Sequence, residues 1–340
     1  MNRQVLVTVD EYALKRSKRI DFFKRYGMAL LFIAPHLIFF LVFCIYPLFY
    51  GIYMSLFKYS IADHTQNEWR GLKNFATLLF KKDNLYHQEF WYAIGNTATF
   101  AAIIVPLSII IPLFIAICIN SKPKGYKIFR AIIYLPSVLP VSASGIIFTA
   151  LFGFLFGYIN QWFGVSVDWL NSNPMLAWFV ILLLCLWGGW GGNFIILNAG
   201  LKNVDKSLYE AAAVDGCTGM RRAMAVTFPA IKQQLILCIF NTIIGYFGLY
   251  GQIYVLTNAG PITNTTNHST MSIMWYMQNL INDSGNFAVY GMVSAMGLIL
   301  GLIIGVITAV QLIVTREKKS GNKYSTQFRQ YQEQKEAVNE

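Results

Sequence analysis

The 340 residues are 56% hydrophobic and only 13% charged, about half the charged share of an ordinary soluble domain, which excludes a water-soluble globular fold. A net charge of +11 would suit nucleic acid or a membrane surface, and the placement of the charges decides between them. Lys, Arg, Asp and Glu are absent from six long windows, 26–57, 93–119, 131–163, 175–201, 235–257 and 288–315.

Each window can cover a hydrocarbon core about 30 Å thick, which takes roughly 20 apolar residues in a helix. A membrane barrel would show alternating segments of about ten residues instead, and lipid leaves the backbone no other regular way to satisfy its hydrogen bonds. The predicted fold is all-α and integral to a membrane, with six spanning helices in one domain over 26–315, flanked by tails 1–25 and 316–340.

In chain order, a basic, weakly patterned tail leads into the first window. That window is too long for a signal-peptide core and lacks a small-residue cleavage site, so it is predicted to remain as a helix. The stretch 58–92 mixes Tyr59, Trp69, Phe75, Phe80, Phe90 and Trp91 with charges, as short helices lying at a membrane surface do. The next spans carry Pro106, Pro112, Pro136 and Pro140, and the fourth a cluster of Gly188, Gly189, Gly191 and Gly192. Kinks and close helix contacts are predicted there, because neighbouring helices can rescue a freed backbone and small residues admit close approach. The last 25 residues, rich in Gln, Lys and Glu, predict a helix end that frays into disorder.

Lys and Arg number seven before residue 26, four in 120–130, five in 202–234 and six in the C-terminal tail, against five in 58–92 and none in the other two connections. Cytoplasmic segments are enriched in these residues, so both termini are predicted to be cytoplasmic. The positive charge is then a topology signal helped by anionic lipid, with no nucleic acid implied. Five scattered cysteines, four of them in apolar windows, form neither a disulfide framework nor a metal spacing and read as packing residues.

The 202–234 connection, KNVDKSLYEAAAVDGCTGMRRAMAVTFPAIKQQ, is built as well as long. Ser207 and Glu210 have capping-box spacing, predicting a helix from Leu208. Ala211, Ala212 and Ala213 favour helix and leave a narrow surface, and Gly216 can supply the left-handed turn that ends it. A second short helix, 220–227, is predicted to stop before Pro229. Two short helices around a glycine turn make a compact knob that could dock into a groove, or simply fill a long loop.

EAAAVDG at 210–216 followed by FPAI at 228–231 resembles the signature of binding-protein-dependent ABC importer permeases: an EAA triplet, a Gly four residues on, and a hydrophobic-Pro pair about a dozen residues later. Phe228 departs from the family's usual Leu, a modest change between large apolar side chains. Over roughly 28–309 the chain is similar to the carbohydrate-uptake branch, related to maltose and glycerol phosphate permeases. The matching stretches include GLKNF at 71–75, NTATF at 96–100, FRAIIYLPSVLP at 129–140 and YVLTNAGPITNTT at 254–266, with Asn258 standing where the branch has a small residue. The resemblance implies the permease subunit of an importer for a sugar or oligosaccharide, or alternatively for glycerol phosphate or another small polar solute. Implied with it are a bacterial-type plasma membrane, a second, paralogous permease, two copies of a cytoplasmic ATPase and an external solute-binding protein. In such proteins the EAA helix inserts into the ATPase, so Glu210, Ala211, Ala212, Asp215, Gly216 and Pro229 carry over as coupling residues. A bulky residue at Ala212 would then block seating, and loss of Gly216 would re-aim the connection.

The chain has no glycine-rich phosphate loop ending in Gly-Lys-Ser/Thr, so ATP and Mg belong on a partner. No zinc-protease helix, paired carboxylates or Ser, His, Asp set is present, and no metal site or catalytic residue is predicted. His36, the only His in a span, reads as a packing or interface residue. A sugar path needs aromatic faces for ring C–H surfaces and amides or hydroxyls for OH groups. Such residues concentrate in the fourth and fifth spans: Trp187, Trp190, Asn193 and Asn198, then Asn241, Thr242, Tyr246, Phe247, Tyr250 and Gln252. Interfacial anchoring or helix–helix hydrogen bonding would call for the same residue types. The absence of charge from every span points mildly to a neutral solute.

Overall fold

The computed structural model describes residues 27–28, 31–61, 65, 67–121, 123–261, 268–282 and 288–315. The expected tails 1–25 and 316–340, and positions 262–266 of the quoted YVLTNAGPITNTT stretch, lie outside the described residues. From the N-terminus, helix α1 (Leu31–Ser55) contains a π-helical turn at Leu41–Ile45 and leads into strands β1 (Phe57–Lys58) and β2 (Glu68–Trp69). There follow α2 (Lys73–Phe80), α3 (Leu85–Asn120), α4 (Tyr126–Tyr134) with a 3-10 turn at Leu135–Val138, α5 (Val141–Phe152), α6 (Tyr158–Phe163) and α7 (Pro174–Lys202). The remainder is α8 (Lys206–Val214), α9 (Gly219–Ala230), α10 (Lys232–Phe247), α11 (Gly251–Leu256), α12 (Ile273–Asn282) and α13 (Tyr290–Thr315).

Four of these, α1, α3, α7 and α13, are long and apolar enough to cross a membrane, and the number reaches six only if two sharply bent helix pairs each count as one crossing. The kink expected at Pro136 and Pro140 is present, and it divides the third window, 131–163, into separate helices. The chain bends by 98° between Tyr126–Val138 and Val141–Phe152, because Pro136 and Pro140 withhold two N–H groups and Pro140 is extended, with ψ 148°. Beyond Phe152 a non-helical turn intervenes, in which a Cβ on Gly157 would lie 2.1 Å from the Gly153 carbonyl oxygen. The fifth window likewise divides into α10 and α11, with residues 248–250 between them. The Ser272 hydroxyl donates to the Leu249 carbonyl at this break, supplying a partner where the helical ladder is interrupted.

The described residues fall into two compact units, one drawn from within 1–75 and 285–298 and the other from within 76–284 and 299–340. In the first, β1 and β2 pair antiparallel with Phe57 opposite Trp69. Buried Asn74 donates to the carbonyls of Ser55 at 2.8 Å and Phe57 at 2.9 Å, satisfying acceptors that the end of α1 leaves open. A Cβ on Gly291 would come within 1.9 Å of the Phe57 carbonyl oxygen, so only glycine lets the start of α13 approach this hairpin. His36 and Cys44 are exposed on α1.

In the second unit the core is built from α3, α7 and α10. Ile109, Leu113 and Ala116 of α3 meet Phe194, Leu197 and Leu201 of α7, Cys238 of α10 and Ile231. Of the five cysteines read as packing residues, only Cys185 and Cys238 are buried; Cys118, like Cys44, is exposed, as apolar side chains at a lipid-facing surface can be.

Candidate functional site

A cavity of about 440 Å³ opens among α5, α7, α10, α11 and the 3-10 turn before Leu139. Its polar lining is Ser108, Ser137, Ser144, Asn193, Asn241, Thr242, Tyr246 and Gln252, and no charged residue lines it. Of the ten side chains singled out from sequence, five come together here: Asn193, Asn241, Thr242, Tyr246 and Gln252. The other five do not line it, and Asn198 lines a separate cavity. Trp187 packs on Phe148 with ring centroids 5.7 Å apart, Tyr250 stacks on Tyr254 at 5.5 Å, Phe247 is buried and Trp190 is half-buried with its indole N–H unpartnered.

Asn193 is the structural hinge of the wall. Only 8% exposed, it donates through Nδ2 to the Ser108 carbonyl at 2.9 Å and to Thr242 Oγ1 at 3.0 Å, so it joins α7 to both α3 and α10. The Ser108 carbonyl needs that partner for a covalent reason. Its ordinary helical donor would be the N–H of residue 112, and residue 112 is proline. Tyr246 donates its hydroxyl to the Cys185 carbonyl at 3.2 Å and sets its ring edge-on to Phe100 at 5.7 Å. Among the described residues, the side-chain amides of Asn241 and Gln252 make no hydrogen bond within the chain, which leaves them available to a solute.

The glycine cluster of α7 divides by role. A Cβ on Gly191 would fall 2.5 Å from Ser137 Oγ and 3.3 Å from the Tyr134 backbone, and one on Gly189 would fall 2.9 Å from the Tyr246 hydroxyl, whereas Gly188 and Gly192 meet nothing within 4 Å. The first pair lets the 3-10 turn and α10 close on α7; the second pair keeps the cavity open. Sequence reasoning missed Ser137 and Ser144, which enter only because the third window bends inward. The paired prolines of LPSVLP were the available signal.

The 202–234 connection forms two short helices around a glycine turn, as predicted, with two differences. Helix α8 begins at Lys206, capped by Asp205, whose carboxylate accepts from the Ser207 N–H at 3.0 Å. The expected Ser207 cap is displaced because extended Asp205, an equally strong cap, reaches the chain first. Hydrogen bonds from the Ser207 N–H and then its hydroxyl hold the Asp205 carboxyl below its ordinary range. At the other end Cys217 N–H bonds Ala212 C=O at 2.8 Å and Gly216 N–H bonds Ala213 C=O at 3.1 Å, with Gly216 at φ 70°. This pairing is a Schellman motif, and it makes Gly216 the reversal residue.

The second helix does not stop before Pro229. It runs to Ala230 through a π-helical turn at Ala223–Thr227, then bends by 75° into α10 at Ile231. The wider turn gives the proline ring the clearance that an α-turn would deny it. Tyr209 O–H and Thr227 Oγ1 lie 3.3 Å apart and Arg222 sits 6.0 Å from the Tyr209 ring centroid, holding α8 against α9.

Glu210, Ala211, Asp215, Gly216 and Pro229 are exposed, whereas Ala212 is buried, at 7% exposure. A bulky side chain at Ala212 would therefore push α8 off its own neighbours before meeting any partner. The apolar groups that do face outward are Leu208, Val214, Met220 and Met224, with Val214 88% exposed. Fully buried Ile231 and partly buried Phe228 root the knob in the α3, α7 and α10 core.

A family model described as "binding-protein-dependent transport system inner membrane component" matches residues 105–320. The trehalose/maltose transport system permease protein MalF of Thermococcus litoralis is 30% identical over 293 residues, 85% of this chain and 94% of that protein. The arabinooligosaccharides transport system permease protein AraP of Halalkalibacterium halodurans is 29% identical over 324 residues, covering 92% of this chain and 96% of the relative. Among solved structures, a chain of a bacterial alginate ABC transporter, crystallised with an alginate pentasaccharide-bound periplasmic protein, superposes with a TM-score of 0.72 at 22% identity, covering 88% of this chain and 97% of that one. That likeness shows a shared fold.

Proposed function

The chain belongs to the binding-protein-dependent transport system inner membrane component family, and from that premise we propose that it is the permease subunit through which an ATP-driven importer passes a sugar or oligosaccharide from an external binding protein into the cell. The observation that carries the substrate class is the uncharged cavity of amides and hydroxyls against the Tyr246 ring. Such a lining exchanges hydrogen bonds with a polyol and offers no cation to a phosphate, which argues against the glycerol phosphate alternative. The relatives named for trehalose, maltose and arabinooligosaccharides agree with this reading.

On this reading the knob faces the cytoplasm, both termini lie on that side, and the exposed face of α8 and α9 seats on a separate ATPase that binds ATP and Mg. Two such ATPases and a second, paralogous permease complete the assembly. Glu210, Ala211, Asp215 and Gly216 contribute to the docking surface together with Val214, while Ala212 and Pro229 shape the knob itself. Because Ile231 and Phe228 embed the knob in the core shared by α3, α7 and α10, a tilt of the knob shifts the helices that carry Asn193 and Tyr246. ATP-driven movement at one end would thus open and close the cavity walls at the other.

The test is reconstitution of the chain with the proteins that co-purify from its host. Expected are ATP-dependent uptake of a radiolabelled saccharide and a crosslink from a cysteine at position 214 to a nucleotide-binding subunit. Saccharide-independent ATPase activity with no uptake would overturn the substrate assignment, and a crosslink found only to periplasmic protein would overturn the orientation.

A further inference from the structure

Beside the knob lies a second cavity of about 440 Å³, bounded by the ends of α3 and α7, by α4 and by the start of α8. Its chemistry is opposite to that of the solute cavity. Arg130, Lys202 and Lys206 line it together with Tyr126, Tyr209 and Asn198. Among the described residues no carboxylate pairs with any of the three cations; Asp205, the nearest in sequence, is engaged with Ser207 and does not line the cavity. Asn198 is only 2% exposed, and its Oδ1 has no partner. The three uncompensated cations suit an anion, and the unpartnered Asn198 Oδ1, an acceptor, calls for a donor, so the pocket fits an anion that also carries a hydroxyl.

Helix α4 indicates where the anion comes from. Ile128, Phe129 and Ile132 stand exposed on it, while Lys127 and Arg130 on the helix and Lys124 in the turn before it provide charge. An amphipathic basic helix of this kind lies in the headgroup plane, with its apolar side among acyl chains. The cavity therefore opens at the level where lipid phosphates sit, and basic pockets between spans at that depth take anionic headgroups. We infer that this cavity binds the phosphate-bearing headgroup of an anionic phospholipid, clamping α4 and the end of α7 to the first turn of α8. The knob's attachment to the bundle would then strengthen with anionic lipid. This binding does not depend on the importer reading, since it requires only that the chain be embedded in a bilayer.

The experiment uses the full chain in nanodiscs of phosphatidylcholine with or without phosphatidylglycerol, reading association of spin-labelled phosphatidylglycerol. Lys202→Gln/Lys206→Gln, two exposed positions whose change leaves packing intact, should weaken association by about 25-fold, at about fivefold per removed cation. Lys124→Gln/Lys127→Gln, equally basic but outside the cavity, removes only general surface attraction and should cause the smaller loss, and Arg130→Lys should retain association. Equal losses from the two double variants would overturn the site. Inorganic phosphate binding in pure phosphatidylcholine nanodiscs, without preference for phosphatidylglycerol, would assign the cavity to a soluble anion and overturn the lipid assignment.

Discussion

Replacing Asn193 by Ala tests whether a proline in one helix is compensated by an amide in another. The substitution removes the donor to Thr242 and the donor to the Ser108 carbonyl. Ser108 is 1% exposed but lines the cavity, and an unsatisfied buried carbonyl costs about 1–3 kcal/mol, the lower end applying where cavity water reaches it. The Thr242 bond adds about 0.6 kcal/mol, the average for side-chain bonds between membrane helices. The single variant should therefore lose roughly 2–3.5 kcal/mol. Pro112→Ala restores the N–H that an α-helix would aim at Ser108, and in that background Asn193→Ala should cost only about 0.6 kcal/mol. The four proteins form a double-mutant cycle, read by reversible SDS unfolding in mixed micelles, with an expected coupling of about 1–3 kcal/mol. Additivity within about 0.5 kcal/mol would refute the idea that Asn193 serves the carbonyl freed by Pro112.

Three further outcomes are expected. Gly192→Leu, whose Cβ meets nothing within 4 Å, should fold normally yet fill the solute cavity, abolishing saccharide uptake while thermal stability stays unchanged; preserved uptake would remove this cavity from the path. Ile231→Ala, at a position with 0% exposure, should cost about 2–5 kcal/mol and raise hydrogen exchange in α9 and α10 together, whereas exchange confined to α9 would show that the knob is not rooted in the core. The Asp205 cap is fully present above the ordinary aspartate value of 3.8 and is lost as pH falls through the depressed native value. Exchange of the Ser207 amide should accordingly rise only below about pH 4, and Asp205→Asn should abolish that pH dependence while keeping the helix capped.

The apolar windows made the membrane class legible because charge exclusion is a property of composition, and lipid enforces it residue by residue. The two short helices of the knob were legible because Ala211, Ala212 and Ala213 and the Gly216 reversal are local signals. Pro136 and Pro140 signalled a kink in 131–163, but hydropathy does not register its size, a 98° bend that breaks the window into separate helices. Four of the five aromatic candidates, all but Tyr246, lie off the cavity for a related reason. Trp187 and Tyr250 look the same in sequence whether they face a solute or, as here, Phe148 and Tyr254. Amides discriminate better, since burying an amide in lipid is costly unless it has a partner or faces a cavity. Asn193 and Asn198 indeed sit at the only two kinds of place available to them, a bridging bond and a polar pocket.

The prolines link the cavity to the knob through a single physical rule. Each removes one N–H and so forces a local answer for the carbonyl four residues before it. At Pro112 the answer is a side chain from α7, which binds three helices at the cavity wall. At Pro136 and Pro140 it is a 98° bend, which turns Ser137 and Ser144 toward the same cavity. At Pro229 it is a π-helical turn, which carries α9 past the proline before the chain swings into α10. Two of these answers build the wall and the third shapes the joint between knob and wall. Restoring an N–H at position 229 with Pro229→Ala should therefore tighten the π turn toward α-helix and re-aim the knob while leaving the distant Asn193 bonds intact, and under the proposed docking the reconstituted complex should show altered ATPase stimulation by saccharide.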